Sequence, residues 1–135
     1  YDVCMLSRCD RYSTSNRVYQ MGSRPRAEWD GYLAWMEDFE YQNLGFPRPD
    51  LVLYLDMPIE VSQNLLLQRY QGDSGKKDIH ESHLAFLRSC GECARYAGQR
   101  LGWKVVPCAK GGEPLPVEEI HRAVLAAVEP LLEKP

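Results

Sequence analysis

The stretch Asp50-Leu51-Val52-Leu53-Tyr54-Leu55-Asp56 constrains the fold more than any other part of the chain. Its interior is continuously apolar, the pattern of a strand covered on both faces of a parallel sheet. Pro49 and Pro58 bound it. Proline fits the first turn of a helix, so Pro58 is expected to open a helix reaching residue 70. Residues 1–7 (around Val3-Cys4-Met5-Leu6) and residues 103–108 (Trp103-Lys104-Val105-Val106-Pro107-Cys108) read as two further short strands. Between and after them run helical patterns over residues 26–44, 78–101 and 116–133, joined by loops at 71–77 and 110–115. Strands that alternate with helices predict an α/β fold, a parallel sheet with flanking helices. In such sheets ligands bind beyond the carboxyl ends of the strands, so the loops after Ser7, Asp56 and Cys108 are the places to look for function.

In the first long helical pattern, Trp29, Leu33, Met36, Phe39 and Asn43 recur at helical spacing. Gly45, backed by Pro47 and Pro49, is the expected stop. A stripe of this kind is usually core, because an amphipathic helix packs on its own sheet; the alternative is an interaction surface of a non-catalytic dimerisation or binding module. Hydrophobic residues make up 44% of the 135 and charged residues 26%, enough apolar material for a packed domain. The net charge of −3 argues against a nucleic-acid partner. No apolar run reaches the length of a membrane span.

The five cysteines, Cys4, Cys9, Cys90, Cys93 and Cys108, are odd in number and scattered. They read as thiols of a reducing, cytoplasmic compartment. Cys90 and Cys93 have C-x-x-C spacing but fall inside a helical pattern. A redox pair would open a helix after a strand, and a structural zinc would need four ligands.

The chemistry concentrates after the first strand, in Asp10-Arg11-Tyr12-Ser13-Thr14-Ser15-Asn16-Arg17-Val18-Tyr19-Gln20. This segment is expected to be a polar loop leading into a helix. Arginine holds a phosphate with paired hydrogen bonds. Aspartate holds magnesium, often through water. Asparagine and glutamine read a base edge with a donor and an acceptor, and the following helix start favours an anion. The bland alternative is a capped helix with a local Asp10–Arg11 salt bridge.

The same stretch resembles the Asp-Arg-(Tyr/His)-x-x-Ser-x-x-(Ala/Val)-Tyr-(Gln/Ser) segment of thymidylate kinases. Gly45-Phe46-Pro47-Arg48-Pro49-Asp50-Leu51 resembles that family's Gly-(Leu/Phe)-Pro-(Lys/Arg)-Pro-Asp-(Leu/Trp) entry into its next strand. Leu55-Asp56-Met57-Pro58 and a lid-like loop at 71–77 follow in the family's order, so the likeness runs through nearly the whole chain. It is nearest to a bacterial thymidylate-kinase-like subgroup with a lysine-rich lid. The resemblance implies phosphoryl transfer from ATP to dTMP, giving dTDP, with Mg2+. Asp10 would organise the magnesium and its water, and Arg11 would grip the dTMP phosphate. Asn16 would sit at the thymine edge and Tyr19 beneath the deoxyribose, with Ser15 and Gln20 as polar supports. Arg69, Lys76 and Lys77 would supply the cations that close over the moving phosphoryl group. Many members use arginines there, and lysine is a point charge rather than a planar fork. Asp78 and Glu81 fall on the family's Asp-x-Tyr-Glu pattern, with His80 where tyrosine is usual.

Gly72-Asp73-Ser74-Gly75-Lys76-Lys77 is not an ATP-phosphate loop. The Gly-x-x-x-x-Gly-Lys-(Ser/Thr) pattern would need glycine at 70 and a hydroxyl residue at 77, where Tyr70 and Lys77 stand. The resemblance therefore implies an incomplete three-layer fold of the P-loop NTPase type, residues 1–135 forming a partial domain. The P-loop, first helix and second strand would lie upstream, and the chain alone would be inactive. It further implies a cytoplasmic homodimer. The absent central strand would leave the strand ending at Ser7 about 9–10 Å from the one ending at Asp56. The Asp56 strand would pair instead, in parallel, with residues 103–108. Another monophosphate kinase or a deoxynucleoside kinase of the same fold is the competing enzyme, and Asn16 with Tyr19 favours thymidylate.

Overall fold

The computed structural model of the chain describes residues 12–69 and 81–133. The strand expected over residues 1–7, its spacing from the Asp56 strand and the lid-like loop at 71–77 lie outside them. Helix α1 spans Thr14–Met21. A 3-10 turn, Arg26–Glu28, leads into α2, Trp29–Glu37, and a π-helical turn, Asp38–Asn43, follows without a break. Strand β1 is Leu53–Asp56, α3 Ile59–Arg69, α4 Glu81–Leu101 and β2 Lys104–Pro107. A small hairpin, β3 Ala109–Lys110 and β4 Glu113–Pro114, precedes α5, Val117–Leu132.

β1 and β2 pair in parallel, Leu53 opposite Lys104 and Asp56 opposite Pro107, as expected for the Asp56 strand. The pairing continues past the strand ends. Lys104 N–H donates to Val52 O at 2.9 Å and Cys108 N–H to Asp56 O at 3.0 Å. Among the described residues β1 is not covered on both faces. Leu55 is 52% exposed, and no residue of the strand is fully buried. Helix α5 is similar. Its apolar stripe of Ile120, Ala123, Val124, Ala127, Val128 and Leu131 is only partly covered.

The core lies among helices rather than on the sheet. Met21 of α1, Trp29, Tyr32, Leu33 and Met36 of α2, and Cys93 and Ala97 of α4 form one buried cluster, with Tyr96, Leu101 and Trp103 packed against it. The expected stripe holds through Met36 and then fails. Phe39 is exposed and Asn43 is exposed, whereas Glu40 is buried. Counted from Trp29 at the α-helical period, Glu40 rather than Phe39 continues the face of Leu33 and Met36. A π turn takes over from Asp38, its bonds running five residues back, as in Leu44 N–H to Phe39 O. The helix stops where the sequence indicates, at Gly45, which takes φ +66°.

One expected loop is a hairpin. Residues 110–115 contain Gly111 and Gly112 at φ +61° and +81°, the two positive angles that a tight two-residue turn requires, so Ala109–Lys110 folds back on Glu113–Pro114. No helix of the described residues is long and apolar enough to cross a membrane.

Candidate functional site

The polar segment expected to be a loop as far as Gln20 is helical from Thr14. That changes how its side chains are aimed. In a helix, residues three and four apart share a face. Asn16, Tyr19 and Gln20 therefore stand together on one side of α1, and all three are exposed. Ser15 sits beside them, half-buried. Arg17 and Met21, also four apart, point the other way, and both are fully buried.

The exposed face is braced from behind. The Tyr32 hydroxyl donates a hydrogen bond to Gln20 Oε1. The Arg24 guanidinium lies 4.7 Å above the Tyr32 ring. Burial pushes the Tyr32 hydroxyl upward in pKa, with Arg24 opposing, so it stays a proton donor to Gln20. Gln20 is thus held from α2.

A second group of polar side chains stands at the carboxyl end of β1. Asp56 Oδ1 accepts from Arg95 Nη1 of α4 at 3.1 Å. Burial, then the nearby Asp56 charge, raises the pKa of Tyr54, and the Tyr19 hydroxyl is close enough to contribute in the same direction. The sequence reading singled out the end of this strand but missed Arg95, which lies mid-helix with no local motif to mark it.

Arg69 is exposed at the end of α3, which packs on α4. Asp10, Arg11, Lys76, Lys77, Asp78 and His80 lie outside the described residues. Glu81 begins α4, its side chain also outside what is described.

Sequence reasoning missed Arg17 altogether. Its Nη2 lies 2.9 Å from Glu37 Oε1 and 3.2 Å from Glu40 Oε2, with no side-chain exposure. The only signal was indirect. Arg17 occupies the face shared with Met21, and Glu40 stands four residues beyond Met36 on the apolar stripe, so opposite charges were due to meet.

The C-x-x-C pair sits inside α4, as its helical pattern required. Cys90 and Cys93 are free and buried. Burial chiefly, with Cys90 alongside, pushes the Cys93 thiol up to about 11, so both remain protonated, poor nucleophiles. Among the described residues no group of three or more acidic, histidine or cysteine side chains gathers to hold a metal.

No family model matches the chain, and no solved structure matches it closely enough to compare. It is 30% identical over 128 residues to a thymidylate kinase of Thermomicrobium roseum, covering 93% of this chain and 55% of that protein. It is 31% identical over 110 residues to thymidylate kinases from two strains of Mycobacterium tuberculosis, covering 78% of this chain and 50% of theirs. The chain thus spans about half the length of the curated relatives it matches. Helices flanking a short parallel sheet are consistent with part of a P-loop kinase fold. Over most of its length, the chain is related to the thymidylate kinases.

Proposed function

We propose that this chain forms the nucleoside-monophosphate side of a kinase site that transfers the γ-phosphoryl group of ATP to dTMP, giving dTDP. The observation that carries the reading is the exposed face of α1 that Asn16, Tyr19 and Gln20 share. An amide, a phenol ring and a second amide suit a pyrimidine deoxynucleotide. The amides offer donor and acceptor pairs, and the ring offers a flat surface for the sugar.

Arg11 would hold the dTMP phosphate by a charge-assisted fork just before this helix. Asp10 is the carboxylate donor that magnesium takes, and the bound ion would neutralise charge between the two phosphate groups. Arg69, Lys76 and Lys77 would bring positive charge over the moving group, with Asp78, His80 and Glu81 bordering the sugar. Residues beyond these 135 would cradle the ATP phosphates, since the chain has no Gly-x-x-x-x-Gly-Lys-(Ser/Thr) sequence. On this reading the 135 residues alone are inactive.

The setting we assign is a homodimer in the cytoplasm. Trp35 and Phe39 stack in parallel on the outside of α2, 5.3 Å between ring centroids, and both are exposed, which supports a subunit contact there. Free thiols at Cys90, Cys93 and Cys108 suit a reducing compartment.

The test is to assay the full-length protein with ATP and Mg2+ against each nucleoside monophosphate and against thymidine. We expect dTMP to be preferred and dTDP to be the product. Equal use of all monophosphates, or turnover of the nucleoside alone, would refute the assignment.

A further inference from the structure

Arg17 stands between Asn16 and Val18 in α1, yet its side chain is wholly buried. Its guanidinium is at ion-pair distance from Glu37 and Glu40 and lies 5.3 Å from the Tyr41 ring centroid. None of its nitrogens meets an acceptor at a hydrogen-bonding angle. Charge rather than directed hydrogen bonding holds it. Glu37 continues the chain of contacts, because its other oxygen accepts from Arg48 Nη1 at 2.7 Å. Arg48 in turn lies 4.2 Å from the same Tyr41 ring. The segment before α1 is tied to the same place, the Tyr12 hydroxyl donating to Pro47 O at 2.9 Å.

A buried ion group of this kind is a poor source of stability. Desolvating the charges offsets much of their attraction, and apolar residues of equal size commonly serve as well or better. What it fixes is geometry. Each helical residue is turned by about 100° from the last, so the rotation that seats Arg17 between the two glutamates also sets where Asn16, Tyr19 and Gln20 point. A methionine in the same place would fill space without specifying that rotation.

We propose that Arg17 is a positioning residue for the nucleoside-binding face of α1. Its ion pairs to Glu37 and Glu40, carried on through Glu37 to Arg48, hold the helix at the rotation that aims Asn16 and Tyr19 at the bound nucleoside. Arg17 itself touches no substrate. The proposal rests on the dTMP kinase reading.

The experiment uses the full-length protein and two variants that preserve size, Arg17→Lys and Glu37→Gln. For each, KM for dTMP, KM for ATP, kcat and the melting temperature are measured. Arg17→Lys keeps the charge but sets it on a shorter stem, so reaching both glutamates requires a different rotation of α1. We expect KM for dTMP to rise about tenfold while kcat and KM for ATP stay within about twofold, the pattern of misplaced substrate contacts. Glu37→Gln should act alike, and the double variant should be no worse than the poorer single one, since the two residues act as one unit. Should Arg17→Lys not fold, Glu37→Gln, at a partly exposed position, decides alone. An unchanged KM for dTMP, whatever the melting temperature does, overturns the proposal and leaves the cluster merely structural. A fall in kcat alone, or an equal rise in both KM values, overturns it as well. Wild-type protein that does not phosphorylate dTMP refutes the functional reading and this inference with it. Wild-type activity with unaltered variant KM values refutes only this inference.

Discussion

Gly22 lies so close to Cys90 that a β-carbon added to it would stand 2.9 Å from the cysteine Sγ. The Ser89 hydroxyl donates to Gly22 O at 3.0 Å, so the end of α1 is tied to the α4 surface it touches. Gly22 has an ordinary right-handed φ of −57°. On backbone grounds alone, Gly22→Ala would stabilise by about 0.4–1 kcal/mol through the unfolded chain. Overpacking outweighs that gain. We expect Gly22→Ala to destabilise by about 1–3 kcal/mol. The second change Cys90→Ala should return most of the loss by removing the sulfur. Urea denaturation of the two single variants and the double gives the coupling directly. A neutral or stabilised Gly22→Ala would mean that α1 and α4 are not locked together here.

The buried thiols make a pH-dependent prediction. The Cys93 thiol is raised from 9.0 to about 11, first by burial and then by Cys90. A folded-state pKa above the unfolded one means that the native protein favours the neutral thiol. Its contribution to stability is fully present below pH 9 and drains away as pH climbs toward 11. Iodoacetamide at pH 8 should therefore label Cys90 and Cys93 slowly in native protein and quickly in urea. Rapid native labelling would show that this part of α4 opens readily.

The Arg17–Glu40 pair offers a test of sign. Arg17→Met leaves Glu40 buried without its cation and should cost about 3–5 kcal/mol, whereas Glu40→Leu leaves Arg17 its Glu37 partner and should cost less. The two together replace charge with apolar volume and should recover most of that loss. Chemical denaturation of all four proteins completes the cycle. If the double variant loses as much as the two singles combined, the cycle gives no coupling, and Arg17 and Glu40 do not act as a pair.

These residues also mark what could be read in advance. The two strands Leu53–Asp56 and Lys104–Pro107 were legible as apolar runs, whereas their parallel pairing was implied by the family resemblance rather than by the local pattern. The buried Trp29, Leu33 and Met36 followed from spacing alone. The expectation failed at Phe39 and Asn43, because the α-helical period from Trp29 runs through Glu40 and a π turn that no propensity rule signals takes over from Asp38. Likewise, Asn16, Tyr19 and Gln20 were legible as chemistry, but their shared face required knowing that the helix begins at Thr14. Arg17 was illegible for a deeper reason. A charged residue in a polar segment reads as solvent-facing, and only the approach of α2 and its π turn gives it partners. The hairpin at Gly111 and Gly112 was legible in principle from its paired glycines, but the strands they join are only two residues each.

On the proposed reading, the lysine pair Lys76 and Lys77 should separate binding from turnover. The proposed site gives Arg11 the dTMP phosphate in the ground state, whereas charge on the transferring group grows only as the bond to ADP breaks. Cations that act on that developing charge should lower the barrier without tightening the resting complex. We expect the double change to alanine to reduce kcat by at least about tenfold while KM for dTMP moves less than about twofold. Arg11→Ala should give the contrasting result, a loss of about 2–4 kcal/mol in kcat/KM for dTMP. The lysines differ from arginines in one further respect that can be measured. Each is a single charge without a fixed fork, so substituting arginine should preserve turnover or improve it if geometry permits two bonds to the phosphoryl oxygens. Steady-state rates of the alanine and arginine variants, taken with saturating ATP and varied dTMP, decide the matter. Normal turnover in the alanine variant would remove both lysines from the catalytic machinery and make the segment ordinary surface.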